Sequence, residues 1–353
     1  MLPKTSFYAA AAISVIPSLY ADSDVIQIPE GKITSHTTVF GDITPSAGPR
    51  VIDGVGLYLT GDYLYWTARE DGLTYAVTGA NLNNSSTSNT NILPTSQGQQ
   101  YQPDFRYKSG FKLGIGFDFG HDKWDMYLDY TWFNPHNSNS SVSRIENQPM
   151  SNLIPVAYTN PYNLLDYAKA FWNLNFNVID WNLGRNFYIS KFLSLRPFFG
   201  LKGTWQKQKF HVLYNFNANP NIAINNTSYF WGLGPMAGVN TAWHFRGFWS
   251  LFADLTLSSL WGAYYVGRKD TTTSSNTTYY NTHQSFHKIR PVMEIATGLR
   301  KEEWFYNNRF HFSLQVGWEQ QVWFNQNQFD FYQNARTGDL TLQGLTAKAR
   351  FDF

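Results

Sequence analysis

Cysteine is absent from the 353 residues of this chain, so whatever fold it adopts holds together without disulfides. Beyond residue 21 no apolar run approaches the ~20 residues that a membrane-crossing helix needs. If the chain spans a bilayer it must do so as a closed barrel, the other structure that satisfies every backbone polar group in lipid. Charge is sparse and nearly balanced: charged residues make up 15% and the formal net charge is +2, which gives no ground for a nucleic-acid partner. Catalytic and cofactor signatures are missing as well. No GxSxG elbow occurs, and Gly232-Leu-Gly234 with Gly238 has the wrong third spacing for a dinucleotide fingerprint. His283 and His287 lie four apart, but Gln284 stands where a zinc-protease helix carries its glutamate. No catalytic residue, cofactor or metal is expected.

What the chain has instead is aromatic residues, 18% of the total, in a sequence whose mean hydropathy is only −0.36. Their placement is periodic. At the C-terminus Leu345, Ala347, Ala349, Phe351 and Phe353 share one face, and Thr346, Lys348, Arg350 and Asp352 share the other. A closing strand of an outer-membrane barrel has this pattern, apolar toward lipid and charged toward the lumen. Phe351 and Phe353 are then candidates for the signal read by barrel assembly machinery. At the other end, Lys4, the apolar stretch from Phe7 to Ile16 and a small residue at Ala21 suit a cleaved export signal over 1–21. Residues 22–55 are expected to form a periplasmic segment and 56–353 the barrel.

The hairpin from Phe105 to Phe133 is the clearest case of period two. Phe105, Tyr107, Phe111, Leu113, Ile115, Phe117 and Phe119 alternate with Arg106, Lys108, Gly110, Lys112, Gly114, Gly116 and Asp118. After Gly120-His121-Asp122-Lys123 the return strand points Asp125, Tyr127, Asp129 and Thr131 inward. Pairing Phe119 with Trp124 places Lys112 diagonal to Asp129, within reach of an ion pair. One later segment breaks phase: Trp172 to Val178 are apolar at even positions and Ile179 to Leu183 at odd ones, which predicts a bulge near Val178.

Counting Gly56 to Thr78 as one strand, the pattern gives ten strands, within a range of ten to fourteen. Short links near 120–123, 186–192, 246–248 and 302–307 alternate with long polar ones near 79–103, 135–165, 215–226, 267–284 and 324–337. The fold class is therefore all-β, an antiparallel transmembrane β-barrel with short periplasmic turns and long extracellular loops. Tyr63, Tyr65, Trp124, Trp132, Trp205, Trp243, Phe245 and Trp249 fall near strand ends, where barrels carry aromatic girdles.

Three stretches also carry a resemblance: Leu57 to Ala76 (LYLTGDYLYWTAREDGLTYA), Asn182 to Gly203 (NLGRNFYISKFLSLRPFFGLKG) and Phe230 to Gly238 (FWGLGPMAG). They resemble the pore-forming family of the Legionella major outer membrane protein, with relatives in Chlamydia-related bacteria. The resemblance implies a barrel porin of a Gram-negative bacterium. The cysteine-linked envelope role of some chlamydial porins is not implied, because cysteine is absent.

Pore-lining candidates follow from the inward phase: Arg106, Lys108, Lys112, Asp118, Asp125, Asp129, Arg196, Lys202, Asp254, Lys288, Arg290, Glu294, Arg300, Glu319, Lys348 and Arg350. With Lys169, Asp62, Asp180 and Asp352 the inward set has eleven cations and nine anions, from which a slight anion preference is expected if these charges set selectivity. They could equally pair to brace a narrow barrel. Inward glycines, among them Gly114, Gly116, Gly200, Gly234 and Gly238, either relieve crowding or receive an infolded loop, for which 135–165 is the candidate. Ten strands make a small or plugged pore. The function expected is passive diffusion of small hydrophilic solutes or ions. A barrel enzyme with a site among the loops, for which His136, His211, His283 and His287 are the rim histidines, and a surface adhesin are the alternatives. Outer-membrane lipid and assembly machinery are the expected partners; a homo-oligomer is compatible, although nothing marks an interface.

Overall fold

The structure, a computed structural model, describes residues 47–49, 51–52, 54–81, 95–96, 98–119, 124–136, 138–144, 153–157, 165–216, 220–245, 248–330 and 337–353. The expected export signal and most of the expected periplasmic segment lie outside the described residues. Ten long strands form the wall: β1 (Leu57–Glu70), β2 (Lys108–Asp118), β3 (Trp124–Phe133), β4 (Leu165–Arg185), β5 (Leu193–Phe216), β6 (Ile222–Phe245), β7 (Trp249–Thr272), β8 (Thr278–Phe305), β9 (Phe310–Asn327) and β10 (Gly338–Asp352). Each pairs antiparallel with its sequence neighbour, and β10 closes on β1 from Tyr58↔Asp352 to Glu70↔Leu340. Closure pairs the lower wall on both sides of every strand, as lipid requires, while the upper part of β8, Thr278 to Pro291, pairs with β7 alone.

The alternation that builds these strands also inverts the usual burial. Leu113 and Trp243, both 57% exposed, stand on the outer surface, while Lys202, 1% exposed, is inside. An apolar outer band around a polar interior matches a wall solvated by acyl chains. Residues 56 and 353 and the short turns share one end, here the lower end, which is the one expected to face the periplasm. The β8–β9 turn there places Tyr306, Asn307 and Asn308 in left-handed φ of 57°, 57° and 62°, a conformation asparagine tolerates better than most residues.

The hairpin register is the expected one, with Phe119 N donating to Trp124 O at 2.8 Å and Asp118 opposite Asp125. Three expectations change. The strand beginning at Leu57 stops at Glu70, where the chain leaves the wall. The segments 215–226 and 267–284 are mostly strand: β5 and β6 run to Phe216 and from Ile222, and β7 and β8 to Thr272 and from Thr278. Their tips turn a polar face outward instead of an apolar one, although Tyr214, Phe216, Ile222 and Ile224 still face inward, so the lipid-facing alternation vanishes while backbone pairing continues. No bulge occurs at Val178, because β4 pairs with β5 in unbroken register from Tyr167↔Asn215 to Gly184↔Phe198. Trp172, Leu174, Phe176 and Val178 are apolar and face inward; the lumen, not the strand, changes character at that height.

Candidate functional site in the lumen

The side chains that strand phase directs inward form two layers. The upper one is apolar. Trp66, Trp172, Phe176, Phe210, Tyr214 and Trp323 pack there with no exposed surface, Phe176 meeting Trp323 edge-on at 5.4 Å. Between them lies chain that has left the wall. Ala76–Val77 pairs with both Gln100–Tyr101 and Ile154–Pro155 in a small sheet, and Leu73, Tyr75, Leu153 and Ala157 are buried in the aromatic layer. Polar atoms hold this plug: Tyr214 Oη donates to Tyr75 O at 2.5 Å and accepts from Ala157 N at 3.2 Å. Arg268 donates to Ala157 O at 3.0 Å while fixed to Asp270 at 2.6 Å. Residues 153–157 of the 135–165 link therefore do fold inward, against aromatics rather than against the glycines, while Ser138–Ser143 pairs with β4 in the wall. The glycines leave room for rings from adjacent strands: a Cβ on Gly116 would strike Tyr58, and one on Gly238 would strike Phe198.

Below the plug the lumen turns polar and encloses a chamber of about 260 Å³. Lys112 Nζ lies 2.5 Å from Glu319 Oε1, linking β2 to β9. Lys202 Nζ lies 2.5 Å from Asp180 Oδ2 and 2.7 Å from Glu294 Oε1. Arg196 binds Asp125 and donates to Asn182 at 2.7 Å and Asn240 at 3.0 Å. Arg350 pairs with Asp352 at 2.5 Å and covers the Tyr58 ring at 3.7 Å, and the other oxygen of Asp352 lies 2.7 Å from His311 Nδ1. Burying ions is costly unless they are paired and hydrogen-bonded, and this network meets most of that demand. The expected Lys112–Asp129 pair is replaced by Lys112–Glu319, because the narrow lumen brings strands three apart around the ring within side-chain reach.

Asp129, Asp254, Arg300 and Lys348 also line the chamber, and Asp118 faces Asp125 near the lower rim. Other candidates lie elsewhere. Arg106 precedes β2, is exposed, and pairs with Asp104 at 2.8 Å. Lys108 sits opposite Trp66, level with the apolar layer. Lys169 is in the outward phase, over the Phe171 ring at 4.6 Å. Lys288 is exposed on the tall β7–β8 hairpin, 2.6 Å from Gln328 Oε1. Arg290 does face inward, but within the aromatic layer, donating to Tyr264 Oη at 2.5 Å. With those cations gone the expected excess reverses: among the described residues the chamber is lined by seven carboxylates and five lysines or arginines. One of the seven, Glu302, was assigned to a turn by the sequence pattern, as Arg268 was to a loop.

Phe351 and Phe353 meet at a tilt, 5.8 Å apart, on the lower rim, Phe351 also stacks on Phe310 at 5.7 Å, and Phe353 N donates to Leu57 O at 3.1 Å. The rim histidines do not converge: His211 bonds Asn225 and His287 stacks on Trp261 at 5.0 Å. Among the described residues no group of three or more His, Asp or Glu is arranged to hold a metal.

No curated protein matches the chain. Among solved structures, the outer membrane protease OmpT from Escherichia coli is 10% identical with a TM-score of 0.42, over 87% of this chain and 100% of that one. The CymD monoaromatic hydrocarbon channel is 9% identical with a TM-score of 0.31, over 85% and 89%. A Pseudomonas aeruginosa FadL homologue is 10% identical with a TM-score of 0.26, over 86% and 90%. Likenesses this loose carry no argument about activity. The model of the family described as Legionella pneumophila major outer membrane protein precursor, by contrast, matches residues 56–353, every strand of the wall. The chain belongs to that family and is a β-barrel protein of the bacterial outer membrane.

Proposed function

We propose that this protein is a pore for small hydrophilic solutes or ions, not an enzyme, and that the form described is shut at its upper end. The observation that carries this reading is the lower chamber. A barrel needed only as a rigid anchor gains nothing from an open, charge-lined interior, since well-packed apolar side chains of similar volume are often at least as stable as buried ion pairs. A conduit needs such a lining, because charges of both signs hold water in the path and discriminate among ions. The plug above it is seated mainly through side-chain bonds to a few backbone atoms, with one backbone bond to the wall, Leu165 N to Leu153 O at 2.9 Å, at the very start of β4, so it can be displaced while the wall pairing stays intact. Lipid surrounds the barrel; assembly machinery acting on the Phe353 end and a homo-oligomer are further parts of the proposal.

Purified protein in a planar bilayer tests it. Discrete conductance steps are expected, larger when residues 145–164 are replaced by a short linker. A well-folded barrel that stays silent with and without that segment would overturn the reading. It would favour a second one, a non-conducting barrel that presents its loops, which the fully buried Trp66, Trp172 and Trp323 support.

A further inference from the structure

Asp62 stands on β1 directly opposite two lysines, Lys112 on β2 and Lys348 on β10. Neither pairs with it. Lys112 is drawn to Glu319 at 2.5 Å, and Lys348 Nζ lies 3.3 Å from Tyr127 Oη and 4.9 Å above its ring. Asp62 is nonetheless 7% exposed, and its Oδ1 has no hydrogen-bond partner among the described residues. Asp254 on β7 repeats the situation: Asn240 hydrogen-bonds it, but its Oδ1 has no partner. Arg300, on the neighbouring strand β8, donates instead to the side-chain oxygen of Gln315 at 2.8 Å. All four side chains line the same chamber.

The chamber thus holds two carboxylates, each with a buried oxygen that has no hydrogen-bond partner among the described residues, and two cations whose hydrogen bonds go to the neutral side chains of Tyr127 and Gln315. A free cation would satisfy only the first pair and a free anion only the second. A ligand with both charges a few ångströms apart satisfies all four. An ammonium offers three donors to carboxylate oxygens, and a carboxylate suits a guanidinium and an ammonium through charge-assisted bonds. We infer that the lower chamber binds small zwitterions of the free α-amino-acid class, the ammonium toward Asp62 and Asp254 and the carboxylate toward Lys348 and Arg300. The volume suits the smaller members. This deepens the pore reading by naming a solute class, but binding does not require conduction.

Isothermal titration calorimetry on the full folded chain in detergent separates the two. Alanine is the probe, with N-acetylalanine lacking the ammonium and alaninamide lacking the carboxylate. Alanine should bind about tenfold or more tightly than either analogue, the scale of losing one set of charge-assisted bonds. Asp62→Asn and Lys348→Gln should each weaken alanine by a similar factor; Asp254→Asn and Arg300→Gln serve where either fails to fold. Absence of saturable heat with alanine, or equal affinity for all three probes, overturns the inference. A barrel that conducts without binding refutes this site alone, whereas one that binds while silent refutes the pore alone.

Discussion

Substituting Tyr214 by phenylalanine removes one oxygen from the centre of the plug. That oxygen makes two buried bonds, to Tyr75 O at 2.5 Å and from Ala157 N at 3.2 Å. Tyr75 O keeps a second partner, Val156 N at 3.1 Å. Ala157 N–H, in a buried residue, has no other partner among the described residues. The ring stays, along with its contact to Phe216 at 6.2 Å, so packing changes little. Losing one typical bond and orphaning one buried donor costs about 2–3 kcal/mol, and the seated plug loses this while the displaced plug, solvated, does not. The ratio of displaced to seated plug should then rise roughly 30- to 150-fold, at about 1.4 kcal/mol per factor of ten. Single-channel recording of the variant, its folding confirmed by heat-modifiable gel mobility, should show a correspondingly greater open probability. An open probability within threefold of the parent would show that this bond pair does not seat the plug.

Lys202→Met removes the cation that serves both Asp180 and Glu294, and leaving a buried charge partner uncompensated typically costs about 3–5 kcal/mol. A lowered urea midpoint by tryptophan fluorescence, largely restored in the triple variant with Asp180→Asn and Glu294→Gln, is expected; an unchanged midpoint would remove the pair from the list of structural ties. With more carboxylates than cations on the chamber wall, reversal potentials in a potassium chloride gradient should favour the cation, and an anion preference would contradict the assignment of the chamber as the selective step. Deleting Phe353 takes away the aromatic contact and the backbone bond to Leu57 at the seam, so outer-membrane insertion in cells should fall; normal surface assembly of the truncated chain would refute its role.

Strand number, pairing order and the β2–β3 register were legible because period two marks a wall with lipid outside. The lower lumen was legible for the same reason: charges on an alternating strand have only one place to go. Legibility failed wherever a face departed from that pattern. In β4, apolar residues at Trp172 to Phe176 oppose inserted chain rather than lipid, and alternation cannot tell the two apart. At the tips of β5 to β8, the outer face turns polar and so hid strands whose inward face, as at Tyr214 and Ile222, is still apolar. Lys112–Glu319 and Lys202–Glu294 join strands that are not sequence neighbours, and no local pattern encodes such pairs. The charge balance was misjudged because phase says which way a side chain points, not at what height it stands.

The wall is not level. β2 and β3 have 11 and 10 residues, about what one crossing of the bilayer requires, whereas β6 and β7 have 24 each and β8 has 28. The low side is where the chain turns inward, after β1 and after β3, and Ser138–Ser143 has already gone back to the wall beside β4. Each residue that zips onto β4 is a residue withdrawn from the lumen. Rim height on that side and occlusion of the passage are therefore drawn from the same length of chain. Insertions and deletions there, which in a barrel would ordinarily be read as surface variation under pressure from antibodies or phage, reset permeability at the same time.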